Sequence, residues 1–151
     1  MIIDFHTHVV PPAIKQDPGR YVGRDPCFDA LYAVPNPKLA TADELLESMD
    51  KSGVDVSVML NIGWSTHRMC QETNDYLMEA VAQHPRRLVG FGAIQPLSGD
   101  DALREMERCA EGGLKGLGEL RSDTQGYDLA DRAVLDPVAE LTRKLGFIWL
   151  S

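Results

Sequence analysis

The stretch TADELLESMDKSGVDVSVMLNI, residues 41–62, decides the fold class. Its first half reads as a helix, with Thr41 as N-cap, Glu44 as its capping-box partner and Gly53 as the stop. From Val54 the pattern changes to a continuous apolar run rich in β-branched residues, which reads as a strand. The same alternation continues toward the C-terminus. A helix over roughly Met69 to Gln83 ends before Pro85, and RLVGFGAIQP (87–96) reads as the next strand. SGDDALREMERCAEGG (98–113) reads as a helix with Ser98 as N-cap, Asp101 at N3, and Gly112 and Gly113 at its end. GLKGLGEL (113–120) is a glycine-rich strand. LDPVAELTRKLG (135–146) carries Asp136 as N-cap, Pro137 at N1 and Gly146 as stop, and GFIWLS begins another strand.

Toward the N-terminus, Ile2 to His8 reads as a short strand. Residues 9–40 then hold Pro11, Pro12, Pro18, Pro26, Pro35 and Pro37. Proline at that density excludes helix interiors and central strands, so a long irregular loop is expected. The whole pattern is β-loop-α-β-α-β-α-β-α-β, an α/β domain with a parallel sheet and right-handed crossovers. Two architectures fit: an open doubly wound sheet, or the first half of a (β/α)₈ barrel of the TIM type.

Bulk properties narrow the function. The chain has 151 residues, 44% of them hydrophobic, which suits one globular domain. A net charge of −8 argues against a nucleic-acid partner. No apolar run approaches the roughly 20 residues of a membrane span, and MIIDFH does not resemble a signal peptide. Cys27, Cys70 and Cys109 form no CxxC pair and read as reduced packing residues. A cytoplasmic protein is the expectation.

The first strand carries the chemistry. In DFHTH, alternation puts Asp4, His6 and His8 on one face. The two histidine α-carbons stand about 6.6 Å apart, close enough for both imidazoles to converge on one ion. Asp4, one step deeper, is placed to fix the orientation of a ligand ring. The pair ends its strand, where parallel α/β folds bind their ligands. Trp64 and His67 fall in the loop after the second strand. Arg121 and Asp123 fall in the loop after the fourth. All four would rim the same face, and a guanidinium there can pair a substrate carboxylate. His84, before Pro85 at a helix end, is expected to interact with that helix C-terminus.

Three phrases, MIIDFHTH, NDYLMEAVAQHPRRLVGFGAIQP and GLKGLGELRSDTQGYDL, resemble the amidohydrolase superfamily of metal-dependent hydrolases. The nearer likeness is to its amidohydrolase-2 group, which includes aminocarboxymuconate-semialdehyde decarboxylase-like enzymes. The resemblance implies a TIM-type barrel with His6 and His8 as ligands of a divalent metal, most simply Zn²⁺. It offers Glu119, at the end of the fourth strand, as a further ligand or bridge. Lys115 lies about 13 Å down the strand and cannot take that place.

A complete barrel needs about 250 residues and eight strands. Residues 1–151 are therefore expected to form a single partial barrel domain. In related sequences a third ligand histidine would follow Ser151 by about one residue, and the general base lies further on. Such a half-barrel is expected to expose sheet edges and to self-associate. The implied activity is hydrolysis of an amide, ester or lactone bond in a small molecule by metal-activated water. A non-oxidative decarboxylase of the same group, a TatD-like phosphodiesterase and an inactive interaction module are the alternatives.

Overall fold

The computed structural model describes residues 1–151. In chain order it contains β1 (Ile3–His8), α1 (Pro12–Gln16), α2 (Pro26–Tyr32), α3 (Ala42–Ser52), β2 (Val56–Leu60), α4 (His67–Gln83) and β3 (Leu88–Gly92). Then follow α5 (Asp100–Glu111), β4 (Gly116–Leu117), α6 (Ser122–Gln125), α7 (Arg132–Leu145) and β5 (Ile148–Trp149), with 3-10 turns at Pro18–Arg20 and Pro96–Ser98. All five strands are parallel and lie in sequence order, β1-β2-β3-β4-β5. A doubly wound sheet reverses its strand order at a switch point. Here every strand lies beside its predecessor, which is the winding of a barrel, and the five strands make a half-barrel.

Two apolar layers follow from the pleat. In β2, Met59 points outward and packs with Leu77, Ala80 and Leu88 under the helices. Val58 and Leu60 point the other way and meet Phe91 of β3. Phe5 adds an edge-on contact to Phe91, with ring centroids 6.0 Å apart. A third layer joins α5 and α7 to β4 through Met106, Leu117 and Val138. At the two ends of the sheet Ile3, Phe5 and Ile148 are each more than half exposed.

The α3 capping box forms as expected: Glu44 N–H donates to Thr41 Oγ1, and Thr41 N–H donates to Glu44 Oε2 at 2.9 Å. Several other boundaries differ, each for a local reason. Residues 9–40 are not irregular throughout. Pro12 and Pro26 open α1 and α2, and Pro18 opens a 3-10 turn. A first helical position has no partner for its N–H, so proline there loses nothing. Helix α4 begins at His67 because Thr66 caps it, accepting from Met69 N–H. Gly99, not Ser98, precedes α5, at a φ of +56° that glycine adopts readily. Helix α7 starts at Arg132, because Asp131 accepts from Ala133 and Val134 N–H and supplies an earlier cap than Asp136. Pro137 therefore lies inside the helix rather than at its start. The strand read over 113–120 is regular only at Gly116–Leu117, between Gly113 and Gly118, both at positive φ.

Candidate metal centre

Strand β1 delivers two imidazoles. Its pairing with β2 slips by one residue between Asp4 and Thr7: Asp4 faces Ser57, but Thr7 faces Met59. This is a bulge. Thr7 Oγ1 donates to the Val58 carbonyl within it, at 2.9 Å. Across the bulge the rings of His6, within it, and His8, just past it, converge, with their Nε2 atoms 3.0 Å apart. Asp4 does not touch either ring; its carboxylate accepts from the His6 backbone N–H at 3.3 Å. The atom that orients a ring is the Leu60 carbonyl, 3.1 Å from His8 Nδ1. Register explains it: Leu60 is the partner of His8 at the end of β2.

Glu119, just past β4, completes the group. Its Oε2 lies 3.4 Å from His6 Nε2 and 3.6 Å from His8 Nε2. In a flat sheet β1 and β4 would stand three strand spacings apart, about 14 Å. Their side chains meet only because the sheet curls. For an ion held at roughly 2.0–2.2 Å, donors about 3.0–3.6 Å apart are expected. The three donor atoms here match that spacing, and one ligand atom from each lies within 4.8 Å of the others. The residues therefore fit a divalent cation, with two nitrogens and one carboxylate oxygen.

The electrostatics suit a ligand set. Burial and then the neighbouring His6 push the His8 pKa below the ordinary imidazole value, against the opposing pull of Glu119 and of the Leu60 carbonyl. The shift favours the neutral imidazole that metal ligation requires. With Leu60 on Nδ1, its Nε2 faces His6 and Glu119.

Other sequence candidates separate. Arg121 lines a cavity of about 200 Å³ together with Glu119 and Ser151, so it does rim the site. It is held there by Asp123 through Nε (3.2 Å) and Nη2 (2.6 Å). Trp64 is buried in the core instead. Its ring stacks on Phe28 at 5.7 Å, and its indole N–H is spent on Asn61 Oδ1. It packs the loop after β2 and does not line the cavity beside Glu119. His67 is the first residue of α4, and it does not join the cluster of His6, His8 and Glu119. His84 caps the C-terminus of α4, and all three cysteines are buried and free.

What sequence reasoning missed is the polar frame under the site. Asn61 and Asn74 are both buried and use their full hydrogen-bonding capacity. Asn61 Nδ2 donates to Thr73 Oγ1 and Asn74 Oδ1, while its Oδ1 accepts from Ile62 N–H and Trp64 Nε1. Asn74 Nδ2 donates to the Ala93 carbonyl and Glu105 Oε1, while its Oδ1 also accepts from Ala93 N–H. Gly92 has no side chain where a Cβ would fall 3.1 Å from Asn74 Oδ1. The frame ends at the candidate metal centre, because Glu119 N–H donates to the Asn61 carbonyl at 2.5 Å. Gln125 ties the loops after β2, β3 and β4 together, through Trp64 and Ile94 carbonyls and Arg121 N–H. One signal was available: Asn74 is the asparagine of the N-x-x-L motif that helps carry the resemblance.

Comparison with known proteins agrees with this geometry. The amidohydrolase family model (Amidohydro_2) matches residues 3–149. The chain is 25% identical to 2-amino-3-carboxymuconate-6-semialdehyde decarboxylase of Dictyostelium discoideum, over 95% of its own length and 46% of the relative's. It is 30% identical to gamma-resorcylate decarboxylase of a Polaromonas species, over 62% of this chain and 30% of that one. The chain thus spans less than half the length of these relatives. Among solved structures it superposes on 5-carboxyvanillate decarboxylase of Novosphingobium aromaticivorans, complexed with manganese, with a TM-score of 0.80. That match has 21% identity and covers 99% of this chain and 49% of the other, and it supports the half-barrel fold. No helix here is long and apolar enough to cross a membrane.

Proposed function

The chain belongs to the amidohydrolase family, and on that premise we propose that it carries the first part of the active site of a metal-dependent, non-oxidative decarboxylase. The observation that carries this reading is the convergence of His6, His8 and Glu119 in a chain whose similar proteins include decarboxylases of small carboxylic acids. The sequence offers this activity as the alternative to hydrolysis, and the similar proteins favour it. His6 and His8 would hold the ion through Nε2 and Glu119 through Oε2. A divalent metal there supplies a Lewis acid that neutralises charge on a substrate oxygen. Two nitrogens and one carboxylate oxygen suit Zn²⁺ and Mn²⁺ alike.

The remaining roles fall to the protein. The Leu60 carbonyl fixes the His8 ring, and Asn61 fixes the backbone of Glu119. Arg121, anchored by Asp123, has Nη1 left to bind a substrate carboxylate in the cavity beside Glu119. In the reaction the bond from carbon to carboxylate breaks and CO₂ leaves. The electron pair stays on that carbon, which then takes a proton.

The test has two parts. Metal analysis of the purified chain and of a His6→Ala/His8→Ala variant should show the ion only in the first. Unchanged metal content in the variant would defeat the site. The protein, in the longest form its reading frame encodes, is then given 2,6-dihydroxybenzoate, 5-carboxyvanillate and the lactone 2-pyrone-4,6-dicarboxylate. Metal-dependent CO₂ release from an aromatic acid supports the decarboxylase. Opening of the lactone without CO₂ would restore hydrolysis.

A further inference from the structure

A second cavity, of about 300 Å³, lies between the segment after β1 and the first turn of α4, and it shares no lining residue with the cavity beside Glu119. Three arginines line it: Arg20, Arg24 and Arg68. That is a concentration of cations in a chain with 15 basic and 23 acidic residues. Two carboxylates also stand in its wall and offset part of that charge, which leaves the cavity a net cation carried by Arg20 and Arg24. Asp25 is saturated by four donors, the backbone N–H groups of Cys27, Phe28 and Ser65 and the Ser65 hydroxyl. Glu72 is paired with Arg68 through Nε alone, at 2.6 Å. Arg20 and Arg24 have no acidic partner within ion-pair distance. The floor is apolar, formed by Tyr21, Trp64 and Met69.

The arginine-bearing segment is fixed in place. Asp25 staples it to Ser65, and Gly23 N–H donates to Asp29 Oδ1 at 2.8 Å. Tyr21 packs between Phe28 and Trp64, with centroids 5.7 and 6.3 Å away. The guanidinium groups are therefore carried on a backbone held before any ligand arrives, which lowers the ordering cost of binding. Guanidinium pairs favour planar, bidentate oxyanions. The volume matches the small end of ligand pockets.

We infer that this cavity is a binding site for a small organic anion bearing two or more carboxylate or phosphate groups, separate from the metal centre. The anionic groups lie against Arg20, Arg24 and the free Nη atoms of Arg68, and the body of the ligand rests on Tyr21 and Met69.

Calorimetric titration tests the inference, with pyrophosphate as the phosphate probe and phthalate as the carboxylate probe. The proteins are the unaltered chain, Arg20→Ala/Arg24→Ala and His6→Ala/His8→Ala. Both arginines are exposed, so the fold should survive, and circular dichroism checks this. Saturable 1:1 binding of either probe is expected. It should weaken by on the order of tenfold or more in the arginine variant and persist in the histidine variant. The probe that binds more tightly identifies the anion class. No saturable binding of either probe at millimolar concentration overturns the inference. So does binding that survives loss of the arginines, or binding lost only with the histidines.

Discussion

Replacing Asn74 by alanine tests whether the buried frame holds the metal centre. The asparagine makes four hydrogen bonds, to Asn61, to both backbone groups of Ala93 and to Glu105. Glu105 keeps Arg108, and Asn61 Nδ2 keeps Thr73. The Ala93 N–H and carbonyl and one Asn61 N–H lose the partner that Asn74 provides. Each buried orphan costs about 1–3 kcal/mol, so the loss should total roughly 3–5 kcal/mol once the neighbours relax. Against a domain stability of about 5–15 kcal/mol, that is a large fraction. Urea unfolding of the chain, followed by circular dichroism, reads it directly. A second readout follows from the bond between the Asn61 carbonyl and Glu119 N–H: divalent-metal affinity should fall, by less than the roughly 10–100-fold cost of removing a ligand's own supporting contact. A midpoint shift worth less than about 1 kcal/mol would refute the reasoning, because the network would then be bystander geometry.

Further tests are independent of this one. Burial pushes the Glu105 pKa up, but hydrogen bonds from Arg108 and Asn74 outweigh it and the net shift is downward. Its ionisation thus contributes stability above about pH 4.3, the unfolded value, and that contribution is lost as pH falls through the lower folded value. The stability gap between the unaltered chain and Glu105→Gln should therefore narrow in acid, and a pH-independent gap would contradict it. All three cysteines are buried with thiol pKa values raised chiefly by burial. A colourimetric thiol reagent should label none of them until the chain unfolds. The apolar ends of the sheet, with Phe5 and Ile148 half exposed, should drive self-association. Sedimentation should show this, together with its reduction in a Phe5→Ser/Ile148→Lys variant; a monomer at all concentrations would oppose it.

Much of the fold is written in short-range signals. Thr41 and Glu44 cap α3 as their spacing implies, and the βα alternation appears in full. Barrel winding was not legible from pattern alone, because strand order is a long-range property that local periodicity does not encode. Proline misled twice, in opposite directions. In residues 9–40 it starts helices rather than preventing them, while Pro137 sits inside a helix that an earlier aspartate had already begun. At the site, His6 and His8 were readable because two imidazoles one residue apart must share a strand end. Trp64 was not, since a loop position near the rim says nothing about burial. The bulge in β1 escaped notice too. It depends on the register of β2, which local periodicity does not encode.

The approach of Glu119 to His8 has a thermodynamic side. The two residues are separated by about 110 positions, so an ion bridging them would close a loop of the size for which a covalent cross-link is worth about 4–5 kcal/mol in chain entropy. A cation there would act as a removable staple between the first strand and the fourth. It would hold the curl of the sheet as well as serve its chemistry. Chelation would then loosen the curl that brings the end of β4 back to β1, and metal supply would set how firmly this half-barrel keeps its shape.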